Sequence, residues 1–308
     1  MTTGPAQAGP IVVGVERSER SRDALALARR LASAAGSRLI LVAVYPVGAR
    51  SATIERGAYA RALTDEAESA LDWVAAPLIG PRPESRAVPC TSIPRGLQQV
   101  ADSEGALAIV VGPSHRGPLG RIMPGSVGER LLRGAPCPVA VAPRGYRDAV
   151  HGPIAKIGVG YVAVPEAADA LRAAVGLAAR TSAAVRVLNV VEPPATSPVL
   201  PFGWSPDERE ATARGELAAQ IRRATDAVAT PVDIAGEVVD GYADDELARL
   251  SSEVDLLICG SSGHRPVGSV MLGSVSAGIL RKARCPMLVV PRGARDGFAA
   301  LRTDAVAA

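Results

Sequence analysis

Residues 112–126 read GPSHRGPLGRIMPGS, and residues 260–274 read GSSGHRPVGSVMLGS. Each stretch follows a short apolar run, AIVV in one case and LLIC in the other, and each closes on Gly-Ser at the start of an amphipathic segment. An apolar run of strand length, a glycine-bearing loop and a helix form a unit whose strands pack side by side in a parallel sheet covered on both faces. The unit occurs twice, so the whole chain is read for a repeat.

Outward from the first loop, the chain alternates strands and helices. PIVVGV is a strand, and SRDALALARRLASAAG is a helix expected to be capped by Ser18 or Ser21 and to end at Gly36. RLILVAV, a poor strand near SRAVP, ALAIVVG and CPVAVAP continue the sheet, with helices over RGAYARALTDEAESALDWVAAPL, PRGLQQVADS and SVGERLLRG. The second half repeats this order from AKIGVG to CPMLVVPRG. A shift of 146 residues lays Gly14 on Gly160 and Asp23-Ala24-Leu25 on Asp169-Ala170-Leu171. A shift of 148 lays Gly112 on Gly260, Gly125 on Gly273 and Cys137 on Cys285. A near-constant shift with one small length change is the mark of a duplicated fold. The two copies are placed at 9–145 and 154–294, joined by a polar linker over 146–153, with both tails expected to be loose.

The composition agrees with two cores. The 308 residues are about twice a typical domain. They are 48% hydrophobic, 21% charged and only 3% aromatic, so Ala, Val, Leu and Ile must fill the interior. A net charge of +3 without a basic block argues against a nucleic-acid surface. No apolar run approaches the ~20 residues of a membrane span, and MTTGPAQAG lacks the pattern of a signal peptide, so a cytoplasmic protein is expected. Cys90, Cys137, Cys259 and Cys285 are too dispersed for a zinc site and are expected to be buried, reduced and structural.

Catalysis is not expected. The histidines are His115, His151 and His264, and no H-E-x-x-H or G-x-S-x-G motif occurs. The pair Asp244–Asp245 falls at a helix start, where negative charge is stabilising without any chemistry. The two loops carry the candidate function. Their glycines allow backbone N–H groups to face a ligand, and Ser126 or Ser274 is placed to cap the following helix. Neither loop is a P-loop, and no tight G-x-G-x-x-G precedes the first helix. On the residues alone, a structural turn with its cap and an anion or nucleotide site both remain open.

The later loop fits G-x2-G-x9-G-[ST] through Gly260, Gly263, Gly273 and Ser274, and in this it resembles the universal stress protein family. GSVSAGILRKARCPMLVV resembles the same family's last helix and strand, and PIVVGVERSERSRDALALA with GSVGERLLRGAPCPVAV extends the resemblance to the first half. The resemblance implies an α/β protein of two similar domains. Each would be an open five-stranded parallel sheet flanked by helices, Rossmann-like and adenine nucleotide alpha hydrolase-like.

For the site, the resemblance implies residues one by one. In ATP-binding members an Asp ending the first strand meets the ribose, and Glu16 holds that position here, with Val44 offering backbone to adenine. Gly112, Gly125 and Ser126 would line the phosphates, but His115 stands at the second glycine. In the second half Val162 replaces the Asp, while Val190, Gly260, Gly263, Gly273, Ser274 and Ser276 keep the rest. The first half is thus expected to make the better ribose site and the second the better phosphate cradle. The implied function is a stress-linked regulator that binds ATP or a related nucleotide weakly at one or both domains, with Mg2+ accompanying the phosphates. The alternatives are a non-enzymatic scaffold with degenerate sites and a slow ATPase. Pairing the terminal strands CPVAVAP and CPMLVVP would join the halves about a pseudo-twofold axis, and the resemblance adds a homodimer of such units.

Overall fold

The computed structural model describes residues 8–46, 55–114, 122, 125–132, 134–149, 152–162, 164–192, 206–261, 274–291, 293–294 and 297–300. The first half runs β1 (Ile11–Gly14), α1 (Glu19–Ala35), β2 (Leu39–Pro46), α2 (Glu55–Ala75), β3 (Glu84–Cys90), α3 (Ile93–Ser103), β4 (Ala108–Val111), α4 (Ser126–Leu132) and β5 (Val139–Val141). The second half runs β6 (Lys156–Tyr161), α5 (Pro165–Thr181), β7 (Ala184–Val191), α6 (Pro206–Thr225), β8 (Ile234–Asp240), α7 (Ala243–Leu250), β9 (Leu256–Gly260), α8 (Ser274–Lys282) and β10 (Met287–Val290).

The strands lie in the order β3-β2-β1-β4-β5-β10-β9-β6-β7-β8. Within each half every pairing is parallel, and each half is an open doubly wound α/β layer. Between the halves β5 and β10 pair antiparallel, with Val139 opposite Val289, Ala140 opposite Leu288 and Val141 opposite Met287. The two layers therefore merge into one ten-stranded sheet, joined at the terminal edges as the apolar sequence of those strands suggested. The remaining edges are β3 and β8, which carry Glu84, Arg86 and Pro89, and Glu237 and Asp240. Charges and proline on an edge discourage further sheet addition.

Strand residues alternate between two hydrophobic clusters. Ile11, Val13 and Leu41 face α1, α2, α5 and α6, whereas Val12, Ile40 and Val42 face α3, α4, α7 and α8. Each cluster runs through both halves, so the seam lies inside continuous apolar packing. Each large side chain buried this way contributes about 1.5–3 kcal/mol. α1 shows how the sequence shapes one such face. Ala24, Leu27, Ala28, Leu31 and Ala35 recur at helical spacing and are buried. Gly36 then adopts φ 61°, and the Ser37 amide donates to the Ala32 carbonyl at 2.9 Å, closing the helix with a Schellman turn. Its counterpart at the end of α5 is Ser182, which takes the same left-handed conformation at φ 55° without glycine's freedom.

Three expectations are corrected. Ser18 precedes α1 in extended conformation but makes no capping bond with its side chain, because its hydroxyl donates to the Glu16 carboxylate at 3.0 Å. Ser21 does not cap either; its Oγ accepts the Glu16 amide at 2.9 Å. The described part of the C-terminal tail is docked rather than loose, as is the start of the linker. Tyr146 lies in a single 3-10 turn after β5 and Phe298 in another after β10; both are buried in the cluster under α1 and α5. Asp23, 0% exposed, anchors the first turn by accepting the amides of Gly145 at 2.9 Å and Arg147 at 3.1 Å.

All four cysteines are buried, and none forms a disulfide. Burial pushes the Cys259 thiol up to about 12 and the Cys285 thiol higher still, which keeps both protonated and unreactive. Among the described residues no helix is long and apolar enough to cross a membrane.

Candidate functional site

In the first half, β1 connects to β2 on one side while β4 lies on the other, so the winding direction reverses between β1 and β4. Open α/β sheets form a crevice at the carboxyl ends of the strands there. A cleft of about 490 Å3 occupies that position. Its apolar part is made by Val42 and Val44 of β2, Val111 of β4, and Ile93 and Leu97 of α3. Gly96 of α3 makes the close approach possible, since a Cβ there would lie 2.8 Å from a Val44 methyl. The polar part is made by Gly112 and Ser114 after β4 and by Gly125, Ser126 and Gly128 around the start of α4.

Glu16 and Arg20 lie on the side of the cleft formed by β1 and α1. The Arg20 guanidinium reaches one turn back to the Glu16 carboxylate at 2.5 Å, with side-chain exposures of 21% and 63%. With the Ser18 hydroxyl on the same oxygen and Ser21 on the Glu16 amide, the loop from β1 to α1 is held by its own side chains. Glu16 is therefore paired with Arg20, four residues on.

The glycines of the loop have unequal roles. A Cβ on Gly112 would lie 2.4 Å from the Arg20 carbonyl oxygen, so Gly112 is required by the approach of strand to helix. Among the described residues, a Cβ on Gly125 would be 3.9 Å from the nearest atom, the Ser114 Cα. Of the residues expected in the first site, Glu16, Val44, Gly112, Gly125 and Ser126 all line the one cleft. His115 lies outside the described residues, as do His151 and His264. Sequence reading missed Arg20, Ile93, Leu97 and Ser114. Arg20 carried a usable signal, standing four residues after Glu16 on the first helical turn.

The second half repeats the backbone relation with different side chains. A Cβ on Gly260 would fall 2.8 Å from the Glu166 carbonyl, as Gly112 meets Arg20. Val162 is 40% exposed at the end of β6, and Val190 is packed against the core from the end of β7. Gly263 and Gly273 lie outside the described residues, while Ser274 and Ser276 fall within α8. Glu166, only 3% exposed, takes the place of Arg20. Nearby, the Glu192 carboxylate accepts the Ala243 amide at 3.2 Å at the start of α7. Asp244 and Asp245 follow in that first turn and are bridged to α8 by Lys282 at 2.5 and 2.6 Å. The later loop keeps the full set of glycines in sequence, whereas the charged pair Glu16–Arg20 stands beside the earlier one.

A separate hollow of about 560 Å3 lies between α5 and α6, lined by Tyr161, Val164, Pro165, Glu216 and Arg223 among others. Burial raises the Tyr161 hydroxyl above its ordinary value, Glu216 adds to the rise and Arg223 opposes it. Among the described residues no group of three or more His, Cys, Asp or Glu is placed to hold a metal ion.

Comparison with known proteins places these features in a family. The Universal stress protein family matches residues 8–143 and again residues 153–291. A universal stress protein of Mycobacterium tuberculosis (strain ATCC 25618 / H37Rv) is 29% identical over 206 residues, covering 65% of this chain and 69% of its own. A second from the same strain is 33% identical over 193 residues, covering 61% and 62% respectively. Among solved structures, a universal stress protein from Archaeoglobus fulgidus DSM 4304 superposes with a TM-score of 0.65 at 19% identity. That match covers 94% of this chain and all of the other, a likeness of fold.

Proposed function

The chain belongs to the universal stress protein family as two copies in tandem, and from that premise we propose that it is a cytoplasmic, stress-associated regulatory protein that binds ATP or a related adenine nucleotide weakly. The observation that supports this reading is the first-half cleft, where Glu16 and Val44 share one hollow with Gly112, Gly125 and Ser126. Its volume falls within the ~300–1,000 Å3 common for small-molecule sites. Its division into an apolar slot and a polar loop matches the two ends of a nucleotide.

Val44, Ile93 and Leu97 offer an apolar slot for a planar base. Glu16, in the cleft after β1, is placed to accept hydrogen bonds from ribose hydroxyls. Among the described residues nothing crowds Gly125, which leaves room for phosphate beside Ser114 and Ser126. Mg2+ would arrive with the phosphates rather than in a cage of protein ligands. The reading is of binding without turnover, because Glu16, the one carboxylate among the described residues that line the cleft, is given to the ribose hydroxyls rather than to water at the phosphate end. In the second half, Val162 and Glu166 favour the scaffold reading for that copy alone.

Calorimetric titration of the full-length chain with Mg-ATP tests the proposal. Saturable binding with a dissociation constant in the micromolar to millimolar range is expected; no heat of binding at millimolar ATP removes it. Slow hydrolysis would appear as phosphate release that survives purification. A homodimer would have to use surfaces other than β5 and β10, which pair within the chain; light scattering across a concentration series decides whether one forms.

A further inference from the structure

We propose that Arg20 is the residue that recognises phosphate in the first cleft, and that it exchanges partners on binding. In the free protein its guanidinium is held by Glu16; a bound nucleotide takes both groups, with ribose hydroxyls on Glu16 and phosphate oxygens on Arg20. This rests on the nucleotide-binding reading above and adds to it a specificity: the cleft selects for charge on the phosphate end.

Three observations lead to it. Gly112 sits against the Arg20 carbonyl, so the Arg20 side chain leaves α1 beside the first residue of the loop. Glu16 and Arg20 are the only charged side chains among the described residues that line the cleft, and they neutralise one another. A polyanion therefore gains nothing from the cleft's net charge unless the pair separates. The corresponding residue of the second half is Glu166, which reverses the charge at the same backbone position.

The exchange is physically easy. Glu16 is more than half exposed, and an ion pair in that setting is held weakly. Guanidinium groups bind phosphate through paired, charge-assisted hydrogen bonds that neutral loop amides do not match. The hydroxyls that Glu16 would accept from ribose replace the donor it loses. Each half of the ligand thus compensates one member of the broken pair.

Full-length wild-type protein and the variants R20Q, R20K, E16Q and E16Q/R20Q are titrated with ATP, adenosine and inorganic tripolyphosphate, with thermal melts to confirm folding. R20Q is expected to lower ATP affinity roughly tenfold to a hundredfold, the usual worth of a lost charged hydrogen bond. Adenosine affinity stays within about threefold. R20K recovers part of the loss. The sign of the E16Q effect is the sharpest test: it raises tripolyphosphate affinity by releasing Arg20 and lowers adenosine affinity by removing the ribose acceptor. In the R20Q background the gain for tripolyphosphate shrinks to less than half. Equal losses of ATP and adenosine in R20Q, or an E16Q variant that weakens tripolyphosphate, overturn the proposal. If wild type binds ATP and R20Q binds it equally well, this inference alone fails. If wild type binds neither ATP nor adenosine at millimolar concentration, the nucleotide reading fails and takes this inference with it.

Discussion

The two halves share a backbone and differ in chemistry. Gly14 and Gly160, Gly112 and Gly260, and the start of α1 and of α5 hold corresponding places, and the strand order of one half mirrors that of the other across the seam. Yet the first half sets Glu16 and Arg20 beside its loop, whereas the second sets Val162 and Glu166. Where a strand passes within van der Waals reach of a helix carbonyl, sterics admit only glycine, and the residue persists in both copies. Where a side chain faces a cleft, the fold imposes no identity. Around the loops, then, the halves keep their glycines and differ in the side chains beside them.

This comparison can be broken at several points. The largest stability effect is expected at the aromatic that follows each terminal strand. Truncating a fully buried aromatic leaves a cavity, and F298A should cost about 3–5 kcal/mol in denaturant unfolding. Y146A should cost a similar amount, since Tyr146 also accepts a 3.0 Å bond from Arg30. A cost below about 1 kcal/mol for either would mean that its turn is not part of the core.

Next come the glycines. A Cβ at 2.4 Å from a carbonyl oxygen must push strand and helix apart, so G112A should destabilise by about 2–3 kcal/mol. G260A, with its nearest atoms at 2.8 Å, should cost less. Equal Tm shifts for the pair would show that the two approaches relax alike.

The third point is a contact that has no counterpart. Arg30 of α1 reaches across the seam to Asp255 at 2.9 Å and also bonds the carbonyls of Gly152 and Pro153 at 2.7 and 2.8 Å. Partial burial alone would raise the Asp255 carboxyl, but Arg30 and the amides of Ala155 and Lys156 outweigh it and hold the group below its usual value. A depressed carboxyl contributes stability above its unfolded pKa of about 3.9 and loses it as pH falls through the lower folded value. R30A should cost about 2 kcal/mol at neutral pH. D255N should remove part of the stability loss seen on acidification below about pH 4, measured by urea unfolding as a function of pH. An acid limb unchanged in D255N would exclude this pair as its source.

The smallest effect tests the ends of two equivalent helices. Ser182 adopts a conformation that Gly36 adopts freely, so S182G should stabilise by about 0.5–1 kcal/mol and G36S destabilise by a similar amount. Effects of the same sign would show that φ does not control either helix end.

Much of this was legible in the sequence, for identifiable reasons. Near-continuous apolar strands, amphipathic helices and the repeated CP before β5 and β10 are signals carried by many residues at once, and they determine layers, order and the pairing of terminal edges. The cleft was legible wherever a residue belongs to a strand end or the loop pattern, as with Glu16, Val44 and Gly112. Contacts made by one residue across long sequence separation were not. Phe298 and Tyr146 stand alone among small or polar neighbours, without a period to mark them as core. Nothing near Asp23 in the sequence reveals that it holds a turn 122 residues away, while its counterpart Asp169 pairs on the surface with Arg172. Ser18 follows the same logic in miniature. A serine before a helix reads as a cap, but the Glu16 carboxylate two residues away accepts its hydroxyl.

The antiparallel seam has a consequence for how the molecule can be read from outside. Because β5 and β10 run in opposite directions, the five strands of one half point their carboxyl ends to one rim of the sheet and the five of the other half to the opposite rim. The six-residue β6 spans roughly 20 Å, which sets the scale of the separation. Ligands held by the two copies would never meet, and a macromolecule sensing one rim would be blind to the other. A tandem chain built this way is two-faced by topology, with the loop ends of its two copies on opposite rims of one sheet.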